Sequence, residues 1–219
     1  MSDTLVVGIT GGTCSGKSFL ARHLMQDLRS HNVSVDYLNQ DWYYYDLSQL
    51  PKAQRDQVIF DQPQAIDIDL FAQHLEHLKF GKPIVAPSYD YSEHIRLEQG
   101  HPITPVSILI VDGLFLLMQE SIANLIDIGV YLSVPDDIRL VRKIRRDVLK
   151  YGISLEYLLR YYETSIRPLH ELYVASAASR ASLNLRYWPE QDADLALNIL
   201  RDSIVRKLSQ TQPPVPTPD

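Results

Sequence analysis

Short apolar runs that stop at turn residues alternate, along this chain, with stretches whose apolar positions recur every three or four residues. Leu5–Ile9 is a β-rich run that enters the glycine cluster Gly11-Gly12-Thr13-Cys14-Ser15-Gly16. Beyond Lys17-Ser18, the residues Leu20, Leu24 and Leu28 recur every fourth position and mark one helical face. Val33, Val35 and Tyr37 alternate with polar residues, which predicts a second strand ending before Asn39-Gln40-Asp41. Leu70, His74, Leu75 and Leu78 predict a helix closed by Gly81 and Pro83. Ser107–Val111 is an apolar run ending at Asp112-Gly113, and Ile128–Val134 is another, stopped by Pro135. Strands alternating with helical patterns predict βαβ units, hence an α/β fold around a mainly parallel sheet.

The second half is more helical. Residues 138–150 predict a basic helix broken at Gly152. Ser154 is placed to cap a helix through Leu155, Leu158, Leu159 and Tyr162, which Pro168 would kink or end. Leu197, Leu200, Ile204 and Leu208 predict a closing amphipathic helix, and the proline-bearing tail Ser209–Asp219 reads as disordered. Residues 1–208 thus read as a single domain. Within it, about 40–106 reads as an acceptor-binding insertion with a small antiparallel flap, and about 138–165 as a helical lid hinged near Gly152.

Composition narrows the function classes. With 45% hydrophobic and 22% charged residues the 219-residue chain carries enough apolar surface for a core, which excludes a disordered, collagenous or coiled-coil chain. A net charge of −6 argues against nucleic acid as a partner. One cysteine, Cys14, excludes an intramolecular disulfide or a cysteine zinc site and fits a reducing cytosol. No apolar stretch approaches the roughly 20 residues of a membrane span, and the N-terminus lacks a signal-peptide pattern, so a cytoplasmic protein without a membrane partner is expected.

The chemistry begins at Gly11–Ser18, which reads G-G-T-C-S-G-K-S and satisfies the P-loop pattern G-x-x-x-x-G-K-[ST]. Its spacing matters because glycines let the backbone wrap a phosphate with N–H groups pointing inward, and the following helix start adds its free amides and dipole. Lys17 is placed to reach the β- and γ-phosphates, and the Ser18 hydroxyl to ligate Mg²⁺. The motif follows a predicted strand and opens a predicted helix, which is the context that separates it from a chance glycine-rich turn. Asp112 ends a buried-strand run in the Walker B manner, pointing to a metal role; the alternative is an ordinary Asp-Gly turn.

A P-loop serves hydrolysis, a switch, or transfer to an acceptor. Transfer needs a base near the acceptor hydroxyl and positive charge over the migrating group. Asp41, at the end of the second predicted strand, lies on the same sheet edge as the phosphate loop and is the candidate base; the alternative is a cap or turn residue. Arg139, Arg142, Lys143, Arg145, Arg146 and Lys150 place six of the 21 basic side chains within twelve residues. Arg142 and Arg146 share a face at i, i+4 and are candidates for a polyanion, whereas Arg139, Arg145 and Lys150 read as a solvated face. The aromatics Trp42, Tyr43, Tyr44, Tyr45, Phe60, Tyr89 and Tyr91 flank Asp61, Asp90 and His94, a mixture suited to stacking on a planar base as well as to core packing.

Together these residues resemble the uridine kinase (uridine–cytidine kinase) family, within the phosphoribulokinase/uridine kinase group. The resemblance runs through Gly8–Ser18, Asp41-Trp42-Tyr43-Tyr44, Phe60-Asp61-Gln62-Pro63, Pro87–Arg96, Val111-Asp112-Gly113, Arg142–Asp147 and Arg167-Pro168. It implies a P-loop NTPase-like sheet, ATP with Mg²⁺ as the phosphoryl donor, and a nucleoside, uridine or cytidine, converted to UMP or CMP. By the same resemblance Asp41 would be the base on the 5′-hydroxyl and lie near Mg²⁺ with Ser18 and Asp112. Asp112 replaces a family Glu one methylene longer, which implies metal contact through water. Asp61 would hold the ribose hydroxyls, Tyr44, Tyr89 and His94 would contact the base, and Lys143 would stand in the acceptor site. Arg142 and Arg146 would approach the ATP phosphates. A homo-oligomer is open, since the family often forms tetramers.

The chain also departs from the family pattern. Tyr151-Gly152-Ile153 stands where Arg-Gly-Arg is common, Lys143 where Arg is usual, and Tyr161 where a Gln helps hold the ribose. The later strand reads Arg180-Ala181-Ser182-Leu183 and then Arg186-Tyr187-Trp188 in place of Tyr-Ala-Asp and Pro-Arg-Gly. Ile for Arg removes a charge-assisted hydrogen bond worth about 1.5–3 kcal/mol. Two further readings therefore stand beside nucleoside kinase: a sibling kinase for another ribosyl or sugar-phosphate acceptor, and a nucleotide-binding regulatory protein without transfer.

Overall fold

The computed structural model describes residues 4–186 and 189–211. Strand β1 (Leu5–Gly11) leads through the glycine cluster into α1 (Lys17–Ser30), and β2 (Val35–Asn39) follows and turns at once into a 3-10 segment, Gln40–Tyr43. Short α2 (Lys52–Arg55) precedes α3 (Ile68–Lys79), the antiparallel hairpin β3 (Ile84–Asp90) and β4 (Ile95–Ile103), and then β5 (Ile108–Asp112). After α4 (Glu120–Ala123) and β6 (Ile128–Ser133) the chain becomes helical through α5 (Asp136–Ile144), α6 (Leu155–Tyr161) and α7 (Arg167–Leu169). It closes with β7 (Leu183–Arg186) and α8 (Pro189–Thr211).

Five strands form one sheet in the order β2-β5-β1-β6-β7, every neighbouring pair parallel. The register sets Ile9 opposite Asp112, Asp112 opposite Asn39, and Gly11 opposite Leu132, so the strand ends that carry polar residues line up along one edge. Alternation across β1 explains the two core layers: Leu5, Val7 and Ile9 face α1 and α8, and Val6 faces the α3 side. Leu20, Leu24 and Leu28 of α1 are buried against Leu200 and Ile204 of α8, each burial contributing roughly 1.5–3 kcal/mol. Asp67 caps α3 through the Leu70 amide, 3.2 Å, and Ser154 caps α6 through the Tyr157 amide, as its position predicts.

Two expectations need correction. Of the two outcomes expected at Pro168, an end does not occur: the helical run continues from α6 to Val174, with π-helical turns, Tyr162–Ile166 and His170–Val174, on either side of α7. Such wide turns accommodate the missing amide and the ring of the proline. The predicted disordered tail begins too early, since Ser209 and the two residues after it belong to α8; residues 212–219 lie outside the described residues. Among the described residues no helix is long and apolar enough to cross a membrane.

Candidate active site

The polar strand ends meet around the start of α1. Gly16 precedes the helix at φ 95°, a left-handed conformation that glycine adopts without penalty, and no side chain caps the first turn. The opening amides of α1 are therefore left for an anion. Within the loop the Ser15 amide donates to the Gly12 carbonyl, 3.1 Å, and Cys14 holds φ 59°. The Lys17 ammonium lies back across the loop, donating to the Gly11 and Gly12 carbonyls at 3.0 and 3.1 Å. Burial pulls its pKa down, opposed by the nearby charges of Asp112, Asp41 and Asp61.

Two carboxylates face this lysine from adjacent strands. Asp112 is 1% exposed at the end of β5, where the Tyr37 hydroxyl donates to its Oδ1 at 3.0 Å and the Ser18 hydroxyl lies in hydrogen-bonding range. Burial pushes Asp112 above the ordinary carboxylate range. Asp41 stands on the 3-10 turn after β2, and the cap of that turn is Asn39, whose side-chain oxygen accepts from the Asp41 amide at 2.7 Å. The Asp41 carboxylate is thereby left to the site instead of closing its own turn. Burial and the charge of Asp112 push it up to about 6, against the pull of Lys17. Fully buried Gln40 braces the same corner by accepting from the Phe115 amide at 3.0 Å.

The donor set suits magnesium. Asp112 Oδ2 is sealed and has no hydrogen-bond partner among the described residues, and a second carboxylate repels it from nearby, so the pair calls for a cation. Among the described residues no group of three or more His, Cys, Asp or Glu side chains is arranged to hold a metal alone. A hydroxyl with two carboxylates fits an ion that brings its remaining ligands as phosphate oxygens and water.

On the β2 side, Asp61 is coupled to Lys143, Lys17 and Arg146, while burial raises its pKa. Tyr44 packs edge-on against Phe60 and tilted against Tyr89, at 5.0 and 5.5 Å between ring centres, and its phenol feels both Asp41 and Asp61. Tyr161 reaches the Phe60 backbone beside Asp61. His94 stacks on Phe60 at 4.6 Å with Asp56 at 3.5 Å, so it closes the aromatic wall from outside.

Helix α5 faces the loop from the other side. Lys143 and Asp147 are both buried and paired at 2.9 Å, and Arg146 holds the same carboxylate at 2.6 Å. Burial works against the Asp147 charge, yet hydrogen bonds from Arg146 and Lys143 keep its pKa below the usual range. Arg142 is half-buried one helical turn before Arg146. Arg139 corrects the solvated-face reading: it is 2% exposed, with its guanidinium against the phosphate loop. It donates to Val134 and Thr13 carbonyls at 3.2 and 3.5 Å and pairs with Asp136 at 2.6 Å. A side chain at Gly12 would strike that guanidinium, with its Cβ 2.4 Å from a nitrogen. The periodicity Arg139, Arg142, Lys143, Arg146 (i, i+3, i+4, i+7) marks one face and was the signal that could have found it. Arg145 and Lys150 are exposed, as that reading expects. Arg96, which closes the Pro87–Arg96 stretch of the resemblance but was given no role there, ties the hairpin to the Asp41 segment by donating to the Tyr43 and Tyr44 carbonyls and to Asp67.

Residues 6–194 match the Phosphoribulokinase / Uridine kinase family. Over 211 residues the chain is 32% identical to the uridine kinase of Staphylococcus epidermidis, covering 96% of this chain and 100% of that one. It is 34% identical over 189 residues to the uridine kinase of Tolumonas auensis, covering 84% and 88%. The solved structure of phosphoribulokinase from Rhodobacter spheroides shares the fold, with a TM-score of 0.63 at 14% identity over 84% of this chain and 70% of that one. With the match running from β1 into α8, through the uncapped loop and both carboxylates, the chain belongs to the Phosphoribulokinase / Uridine kinase family.

Proposed function

We propose that this protein transfers the γ-phosphoryl group of ATP to the 5′-hydroxyl of a pyrimidine nucleoside, uridine or cytidine, forming UMP or CMP. The observation that carries the reading is a convergence at one sheet edge: the uncapped start of α1, Lys17 on the loop carbonyls, Asp112 at the end of β5 and Asp41 just beyond Asn39, the neighbour of Asp112 in the register, with the cluster of Tyr44, Phe60 and Tyr89 following on the same side. The Asp41 carboxyl is pushed up to about 6 by burial and by Asp112. A carboxyl group with that pKa is mostly ionised at pH 7 and still accepts a proton well.

In this reading the loop amides and Lys17 hold the triphosphate, Lys17 exchanging its two loop carbonyls for phosphate oxygens. Asp61 accepts from the ribose hydroxyls, with Lys143 beside it, and Tyr44 and Tyr89 wall the base. Asp41 orients the 5′-hydroxyl for in-line attack and takes its proton. Ser18, Asp41 and Asp112 would hold magnesium, which would supply neutralisation of the charge on the phosphoryl donor. Arg146, carried by the residues after α5, adds its guanidinium to the migrating group. A cytoplasmic setting accords with the unpaired Cys14 in the loop.

A second reading, a sibling kinase for another ribosyl or sugar-phosphate hydroxyl, is favoured by one observation. Lys143 and Tyr161, two of the positions that depart from the family pattern, both stand within electrostatic reach of Asp61, Tyr161 through the neighbouring Phe60 backbone. Incubation with ATP and magnesium across uridine, cytidine, purine nucleosides and ribose phosphates separates the two. UMP or CMP formation supports the first reading; turnover of another acceptor with neither pyrimidine nucleoside consumed transfers the assignment to the second.

A further inference from the structure

The strand order parts the surroundings of the phosphate loop. β5 and β2, with Asp112 and Asp41, lie on one side of β1, and β6 and β7 lie on the other. A triphosphate on Gly11–Ser18 whose terminal group faces Asp41 directs the rest of the donor towards β6 and β7. There, at the carboxyl ends of both strands, opens a cleft of about 470 Å³ walled by Ser133, Val134, Pro135, Asp136, His170 and Arg186. That volume is within the range of small-ligand sites. Buried Arg139 joins cleft to loop, since the guanidinium that pairs with Asp136 also reaches the Thr13 carbonyl.

His170 is the wall residue whose hydrogen bonding is incomplete. It begins the wide-turned segment His170–Val174, and its Nδ1 is sealed from solvent with no hydrogen-bond partner among the described residues. His170 lines the cleft, and with Nδ1 sealed the ring nitrogen available to a ligand there is Nε2. Burial, with the charges of Arg139 and Lys17, lowers the pKa to about 4, so the ring is neutral at pH 7 and carries one proton. A sealed N–H without an acceptor is the rarest of unpaired polar groups, which assigns that proton to Nε2 and leaves a bare lone pair inside.

We propose that His170 is a donor-recognition residue, its Nε2–H hydrogen-bonding an acceptor atom on the nucleoside half of the phosphoryl donor seated in this cleft. The proposal rests on the reading of Gly11–Ser18 as the triphosphate site, and it needs no assumption about the acceptor.

Calorimetric titration of the full chain with ATP, and separately with inorganic tripolyphosphate, tests it in wild type, His170→Phe, His170→Asn and His170→Gln. The Gln amide nitrogen overlays Nε2, whereas the Asn nitrogen overlays Nδ1. Phe and Asn are expected to weaken ATP binding about three- to tenfold, Gln to stay within about twofold of wild type, and tripolyphosphate to bind all four proteins alike. ATP binding unchanged in the Phe variant overturns the proposal, as does equal weakening of ATP and tripolyphosphate, which marks a structural role. Equal loss in the Gln and Phe variants also overturns it. Failure of the wild-type protein to bind ATP at all removes the triphosphate reading itself, a result distinct from the others.

Discussion

Asp41 shows how much a single residue owes to its neighbours. The carboxylate is released to the site because Asn39 caps the turn, and its pKa is raised by burial and by Asp112. Substituting Asp41→Asn removes the proton acceptor and keeps the shape, so kcat is expected to fall more than a hundredfold while the Kd for ATP stays nearly constant, as stopped-flow assays and titration can check. Near-normal turnover in that variant would withdraw the base assignment. Lys17→Ala is expected to lower turnover by a similar factor. The pH profile follows from the direction of the Asp41 shift: a base with a raised pKa is lost as pH falls, so kcat/KM should drop about tenfold per pH unit below about 6 and level off above it. A flat profile between pH 5 and 7 contradicts this. Lys17, Ser18, Asp41 and Asp112 were legible in the sequence because the spacing of loop, strand end and turn is dictated by local chemistry. Arg139 was misread because its burial depends on the packing of α5 against the phosphate loop, which a count of charges along a helix does not reveal.

At the scale of the element, α5 and the turn after it depend on one buried acid. Asp147 accepts from Lys143 and Arg146 together, and the Lys143–Asp147 pair is only 8% and 7% exposed. Asp147→Asn leaves a buried ammonium without its counter-charge, which costs about 3 kcal/mol and should lower Tm by roughly 6–12 °C in a calorimetric scan. The same change releases Arg146, so kcat is expected to fall more than tenfold. Replacing the pair by Lys143→Met with Asp147→Leu should restore most of the stability and none of the activity; recovery of both would deny the cations a part in transfer. The periods of strands and helices were readable here, and so was the Ser154 cap. The passage of the chain through Pro168 was not, because a π-helical turn is chosen by what its residues pack against, and Val174, at the end of the second such turn, is buried in the core with Val6 and Leu109, far away in the sequence.

Across the whole molecule, parallel pairing was foreseeable from the alternation of strand and helix, but the insertion of β5 between β2 and β1 was not, since periodicity carries no partner information. That order brings Asp112 beside both Ile9 and Asn39 and so assembles the site from three separate stretches of chain. The wall proposed for the acceptor comes from β2 and the hairpin-bearing segment after it, which Arg96 fastens through Tyr43, Tyr44 and Asp67. Arg96→Ala is expected to raise KM for the nucleoside at least fivefold with KM for ATP unchanged, and a parallel rise in both would place the fault in the sheet instead. If the proposed reaction holds, the central strand works as a watershed: the aromatic wall of the acceptor stands on the β2 bank, the nucleoside half of the donor on the β6 bank, and the segment after β6, through Lys143, crosses between them. Mutational drift on either bank can retune its own ligand while the opposite one keeps its grip, so a lineage built on this frame is free to change customers without learning a new way to hold its fuel.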